Sequence, residues 1–267
     1  MNAESLNLPK LTEEVRAIAR SAGAFLLAEL GKVGQEQIET KALNSLVSYV
    51  DRTAEEQIVA ALQPLLPAAG FLTEEETVAQ LAQPTRWIID PLDGTTNFLY
   101  GVPIFSVSIA LEIAGELVLG VVYEPNRDEC FYAWRGGGAW CNERPIRVRQ
   151  QANLAQALLA TGFPYYDYSR MGNYLQLFRY LMENTRGLRR CGSAAVDLAY
   201  VAAGRFDGFY EYSLSAWDIA AGMVLVREAG GTVTNFSGQD TSLQTGEILA
   251  ASNGIYPHLL TSLKQRM

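Results

Sequence analysis

The chain has 267 residues, of which 49% are hydrophobic and 19% charged, and its formal net charge is −8. That length is enough for one large domain or two small ones with a sizeable core, and the composition is that of an ordinary globular protein. The acidic balance speaks against nucleic-acid binding, because a phosphate backbone demands a surplus of lysine and arginine.

The opening segment MNAESLNLPKLTEEVRAIAR carries acids and no apolar run of the signal-peptide kind. Leu11, Val15, Ile18, Ala22, Leu26 and Leu30 recur at spacings of three and four, which predicts a helix over residues 11–30 that Gly31 ends. A second helix is expected over residues 53–66. Thr53 and Glu56 form a capping-box pattern, Ile58, Leu62 and Leu65 share a face, and Pro67 stops it. From residue 86 the period changes to that of strands: RWIID, FSVSIALEI, ELVLGVVYEP and CFYAWR, with Ala114-Gly115 as a hairpin corner. The Gly136–Gly138 triplet has no helix behind it, so it reads as a β-turn rather than a phosphate loop.

Beyond residue 150 strands and helices mix. ALLATGF, FDGFYEY, GTVTNF and EILAAS read as strands. Helices are expected near residues 168–184, from Ser193 to Ala203, from Trp217 to Glu228, and at the C-terminus. This is an α/β to α+β layered pattern. A soft boundary near residue 150 divides residues 1–150 from residues 151–267, within a single compact unit.

Three negatives narrow the chemistry. The three cysteines, Cys130, Cys141 and Cys191, are odd in number and show no CxxC spacing, so reduced thiols in a cytoplasmic protein are expected. No run approaches about 18 uninterrupted apolar residues, so no membrane span is expected. The one histidine, His258, falls in the terminal helix, which argues against hydrolytic triads and multi-histidine zinc sites. Catalysis must then run on carboxylates, hydroxyls and backbone groups.

Four acidic loci stand out: Asp51, Glu74-Glu75-Glu76, the pair Asp90 and Asp93 in WIIDPLDGTTNF, and Asp218 in WDIAAG. Each has a bland explanation. Asp51 and Asp218 suit helix N-termini, the glutamates suit a solvated charge run, and Pro91, Asp93 and Gly94 suit a turn. None of these explains Asp90 at the end of an apolar strand. Two carboxylates about 4 Å apart repel by about 4 kcal/mol at an effective dielectric of about 20. A shared proton, a basic partner such as Arg86, or a metal must compensate. Carboxylates from several element ends suit a hard cation, Mg²⁺ for instance, with positions left for water and phosphate oxygens, and Gly94 and Thr95 offer amides to a phosphate.

WIIDPLDGTTNF and WDIAAG, with GSAAVDLAYVAAGRFDGFYEYSLSAWD leading into the second, resemble the signature segments of the inositol monophosphatase family, and the likeness runs from VSYVD to ILAAS. The DGTTNF ending favours the inositol phosphatase branch over the sugar-bisphosphate and nucleotide branches. The resemblance implies a layered α-β-α-β-α sandwich with the active site between the two sub-domains, a homodimer, and lithium-sensitive, Mg²⁺-dependent hydrolysis of a small phosphate monoester such as inositol 1-phosphate. Two to three Mg²⁺ are implied. Glu74, Asp90 and the Leu92 carbonyl would hold one, Asp90, Asp93 and Asp218 a second, and Glu74 with waters a third. Thr73 stands where the family carries glycine, so a one-residue slip would put Glu75 in the place of Glu74. Glu74 and Thr95 would position and deprotonate the attacking water, Asp51 would orient it, and the Gly94 and Thr95 amides would hold the phosphate. Asp93, Ala194 (by its backbone) and Glu211 would contact the substrate hydroxyls, and Lys41 matches a lysine near the phosphate.

Overall fold

A computed structural model describes residues 6–42, 45–80, 83–164, 167–240 and 242–267. Helix α1 (Leu8–Glu29) begins ahead of the predicted residue 11. Asn7 caps it by accepting from the Lys10 amide at 3.1 Å, and Pro9 occupies the first turn, where a missing N–H leaves nothing unpaired. Strands β1 (Glu39–Ala42) and β2 (Ser45–Val47) form a small antiparallel ribbon. Helix α2 (Tyr49–Leu62) also starts early. Ser48, not Thr53, is its cap, and the reciprocal partner is Asp51, whose carboxylate accepts from the Ser48 amide at 2.9 Å.

Seven strands then form one sheet in chain order: β3 (Gly70–Thr73), β4 (Thr85–Asp93), β5 (Ser106–Ile113), β6 (Glu116–Glu124), β7 (Glu129–Trp134), β8 (Ala139–Cys141) and β9 (Arg144–Ile146). Only β3 and β4 pair in parallel. The short helix α3 (Thr95–Leu99) interrupts the run after β4. The expected hairpin corner joins β5 to β6, with positive φ at both Ala114 and Gly115. The Gly136–Gly138 triplet is a turn between β7 and β8. Its Gly136 and Gly138 amides donate to the Glu228 carboxylate at 3.0 and 2.9 Å, so the chain itself fills the place an anion would take.

The second sheet has the order β11-β10-β12-β14-β13. It comprises β10 (Leu158–Thr161), β11 (Gly187–Arg189), β12 (Gly208–Glu211), β13 (Thr232–Thr234) and β14 (Ile248–Ala251). The remaining helices are α4 (Met171–Asn184), α5 (Ala194–Ala202), α6 (Ala216–Glu228), α7 (Ser242–Thr245) and α8 (Tyr256–Arg266).

Alternation along the strands assembles the layers. Trp87 and Ile89 of β4 join the core under α1 and α2, while Ile88 joins the opposite core, built around α5 and α6. That middle core also takes Ala160, Phe209, Val233 and Ala250 from the five-stranded sheet, and α4 and α8 cover the sheet's outer face. The result is an α-β-α-β-α sandwich. Gly120 lets α6 lie close on the seven-stranded sheet, since a Cβ there would stand 2.6 Å from the Ala221 carbonyl oxygen. Among the described residues no helix is long and apolar enough to cross a membrane.

Candidate active site

The site begins with an irregularity in β4. Its register against β5 pairs Asp90 with Ser108 but Asp93 with Ser106, so three steps along β4 match two along β5. In a regular strand residues three apart point to opposite faces. The one-residue bulge, at Pro91-Leu92, turns Asp90 and Asp93 to the same side. That side is the one Ile88 faces, where α5 and α6 begin. Arg86 does not serve Asp90: it pairs with Glu112, its cross-strand neighbour on β5.

The α5 and α6 N-termini supply the partners. Asp93 accepts from the Ser193 hydroxyl at 2.6 Å and the Ala195 amide at 2.7 Å. Asp90 accepts from the Leu92 amide at 2.9 Å. Asp218 accepts from the Ser215 amide at 2.7 Å, which is the helix cap the bland reading expects. It also lines a cleft of about 140 Å³ together with Glu74, Asp90, Leu92, Asp93, Gly94, Thr95, Ala194 and Glu211.

Of the three neighbouring glutamates, Glu74 is the one that lines this cleft. Its loop is tethered by Glu55, a fully buried acid of α2 that sequence reading missed. Glu55 accepts from the Thr73 hydroxyl, the Glu75 amide and both the amide and hydroxyl of Thr77, at 2.7–2.8 Å. The threonine that departs from the family pattern is thus one of Glu55's donors.

Gly94 has φ +100°, and a Cβ there would stand 3.1–3.3 Å from backbone atoms of Ile104, Phe105 and Gly192. Only glycine fits a left-handed corner so enclosed. It caps α3, which opens with Thr95. The Thr95 hydroxyl reaches the Asp51 carboxylate at 2.9 Å and the Leu92 carbonyl at 3.1 Å. Asp51 therefore lies behind the cleft wall and meets it through Thr95. The Lys41 side chain lies outside the described residues, and His258 is exposed on α8.

At the other end, Glu211 packs so tightly on Gly162 that a Cβ there would stand 1.9 Å from its Oε1. Arg190 and Asp197 line the same end. Sequence reading missed both, although an aspartate inside AAVDLAYVA is a signal, since a lone acid in an apolar helix needs a reason.

Burial holds the Asp90 carboxyl well above its ordinary range, and the negative charges of Glu74, Asp93 and Asp218 push it further. Asp218 is raised in the same way, by loss of hydration and then by Asp93 and Glu74. Asp93 stands at about 6, lifted by burial and held back by its Ser193 and Ala195 donors. Among the described residues no group of three or more acidic, histidine or cysteine side chains forms a ready-made ion cage, so the carboxylates line the cleft without closing around a point. The donor set lining it is all oxygen, without histidine or cysteine, which is the chemistry of a hard cation such as Mg²⁺.

The sequence profile described as the inositol monophosphatase family matches residues 7–267. The chain is 46% identical over 248 residues to the inositol-1-monophosphatase of Mesorhizobium japonicum, covering 92% of this chain and 93% of that one. It is 44% identical over 264 residues to Nus factor SuhB of Pseudomonas aeruginosa, covering 97% of each. Among solved structures, the extragenic suppressor protein suhB from Bartonella henselae superposes with a TM-score of 0.91 at 42% identity, covering 97% of this chain and 100% of that one. The inositol monophosphatase from Anabaena gives 0.87 at 37% identity over 98% of each chain. Motifs, layer order and whole-length likeness agree: the chain belongs to the inositol monophosphatase family.

Proposed function

We propose that the protein is a Mg²⁺-dependent phosphatase that hydrolyses inositol 1-phosphate to inositol and phosphate, in a cleft between a sub-domain of residues 1–150 and one of residues 151–267. The observation that carries this reading is the bulge in β4. It brings two buried acids to the cleft that Glu74 and Asp218 also line, beside a glycine corner, an arrangement whose mutual repulsion a bound cation would relieve. Glu74, Asp90, Asp93, Asp218 and the Leu92 carbonyl would hold two to three ions. When bound, the ions lower the pKa of water and neutralise charge on the phosphoryl and leaving oxygens.

The chain's own groups do the positioning. Because the Thr95 hydroxyl gives its hydrogen to Asp51 and Leu92, its lone pairs are left to accept from a water in the cleft. Glu74 takes the proton of that water as it attacks phosphorus in line with the leaving alcohol. The P–O bond to the alcohol breaks, and the alkoxide is protonated from solvent. The Gly94 and Thr95 amides hold the phosphoryl oxygens, and Asp93, Ala194 and Glu211 hold the hydroxyls of the alcohol. No covalent intermediate is needed.

Relatives called inositol-1-monophosphatase and relatives called Nus factor SuhB match this chain over almost the same length, so overall likeness does not separate a catalytic from a non-catalytic role. The complete acidic set favours catalysis. Among substrates, fructose 1,6-bisphosphate and 3′-phosphoadenosine 5′-phosphate are the alternatives to inositol 1-phosphate. Phosphate release from these three with Mg²⁺ is the test. Release from the inositol ester that EDTA abolishes and lithium inhibits is expected; equal release in excess EDTA would overturn the metal reading.

The homodimer has a candidate face. Tyr100, Val102, Phe163, Tyr168 and Leu175 expose large apolar side chains around a groove of about 1000 Å³. Patches of that kind mark association sites.

A further inference from the structure

We propose that Asp197 is a further hydroxyl-reading carboxylate, which with Asp93 and Glu211 selects phosphate esters of alcohols bearing neighbouring hydroxyl groups. The inference rests on the phosphatase reading above and deepens it by naming what the alcohol must look like.

Asp197 lies one turn inside α5, in a helix otherwise built from alanine, valine, leucine and tyrosine. It is only 1% exposed, yet it lines the cleft. Among the described residues its Oδ1 has no hydrogen-bond partner. The Cys191 thiol, a weak donor, is the carboxylate's side-chain hydrogen-bond partner. Leaving a buried carboxylate oxygen without a donor is unfavourable, and a fold has no reason to keep the acid when leucine or asparagine would fit an apolar helix better. A donor from outside the chain supplies the reason.

The surroundings say what kind of donor. Arg190 is the one basic side chain among the described residues lining the cleft, and its charge acts on both Asp197 and Glu211. Gly192 makes room for it, since a Cβ there would stand 2.6 Å from Arg190 Nη1. Gly162 makes room for the Glu211 carboxylate in the same way. Two acids and one guanidinium therefore act on one another in the part of the cleft lined by Glu211, where the phosphatase reading puts the alcohol. Carboxylates that share a guanidinium keep acceptor capacity, and the hydroxyls of a polyol are neutral donors that add no charge to an already acidic cleft. A second phosphate on the substrate would meet two carboxylates there and be repelled. An ordered water can relay one of these bonds without changing the argument.

The test compares inositol 1-phosphate with 4-nitrophenyl phosphate, which has no alcohol hydroxyls, in the wild type, Asp197→Asn and Asp197→Leu, all with Mg²⁺. The expected result is a loss of about 10- to 100-fold in kcat/KM on the inositol ester, mostly as a raised KM, with 4-nitrophenyl phosphate changed by less than about threefold. Calorimetric binding of myo-inositol should weaken in parallel, independently of turnover. The thermal midpoint of Asp197→Asn should hold or rise, because a residue kept for binding is not kept for the fold. Equal losses on both esters with a lowered midpoint would make Asp197 a structural acid and overturn the proposal, as would variants that match the wild type on both. A wild type that releases phosphate from neither ester would instead bring down the phosphatase reading, and this inference with it.

Discussion

Two of the regions that bury carboxylates treat them in opposite ways. At the corner after β6, Glu124 is fully buried. The Asn126 amide and side chain donate to its Oε1 at 3.0 and 2.8 Å, and the Arg127 amide and guanidinium donate to its Oε2 at 3.1 and 3.3 Å. In the cleft, Asp90 is equally buried, and it accepts from the Leu92 amide at 2.9 Å while three other acids press on it. Burial alone therefore does not mark a site. The mark is whether the chain's own donors saturate the acid, and where they do not, the missing partner comes from outside.

The comparison breaks most sharply on stability and activity together. Asp90→Asn and Asp218→Asn keep shape and the acceptor for the one local amide, but remove charge. Each should lower kcat at least about 100-fold on every ester and raise the Mg²⁺ needed. In EDTA, Asp90→Asn should melt no lower than the wild type, since a repelled buried charge is gone. If activity survives, or only substrate preference moves, these acids are not metal ligands. Glu124→Ala should behave in reverse, losing about 3 kcal/mol in urea unfolding because buried donors are orphaned, while kcat of the folded fraction stays within about twofold.

Next in size is the acid that sits between these extremes. Glu211→Gln leaves the metal acids alone and should cost about 10- to 150-fold in kcat/KM on inositol 1-phosphate, the range of one charged hydrogen bond, with little change on 4-nitrophenyl phosphate. A uniform loss on both esters would place Glu211 with the metal acids instead. Outside the cleft, Leu175→Glu puts a charge on the exposed apolar face of α4. Light scattering should then report the 29.3 kDa monomer where the wild type reports a dimer, with the fold unchanged by circular dichroism. A wild type already monomeric would remove that face from consideration.

Much of this contrast was legible in the sequence, and the part that was not has identifiable causes. Periodicity located the long helices and the hairpin strands, because their apolar faces are built from local repeats. It misplaced the start of α2, since Ser48-Asp51 and Thr53-Glu56 are both capping patterns and only packing decides between them. It did not find β3 or β11, whose residues become strands through pairing with β4 and β10 rather than by propensity. Arg86 looked like a partner for Asp90 because sequence distance was the available measure, whereas the β4–β5 register gives it to Glu112. Glu74, Asp90, Asp93, Glu211 and Asp218 were named from motifs. That Asp90 and Asp93 share a face was not readable, because a strand's period of two forbids it and only the bulge restores it. Glu55 was missed for a related reason, since its partners lie 18 to 22 residues away, and Arg190 because the fold brings it to Glu211; Asp197 was missed although its apolar helix marked it.

The smallest predicted effect concerns the buried groups that the chemistry does not use. Cys130 is fully buried, and burial lifts its thiol to about 11; Cys141 is lifted to about 11 mainly by burial as well. At pH 8 a thiol at that value is about one part in a thousand thiolate, against about a quarter for an ordinary cysteine near 8.5. Both thiols should therefore alkylate with iodoacetamide far more slowly than a free peptide thiol, and phosphate release should be unaffected while they do. The sign of the linked stability follows from the raised folded value. The thiols favour the folded state fully below the ordinary thiol value, and that contribution is lost as pH rises from there toward about 11. Urea midpoints taken from pH 7 to pH 10.5 should thus fall, and the part due to these two residues should vanish in a Cys130→Ala, Cys141→Ser double variant. Rapid alkylation at pH 8 with parallel loss of phosphate release would mean that a thiol takes part in catalysis, and the contrast between saturated acids and a carboxylate-run cleft would no longer describe how this protein works.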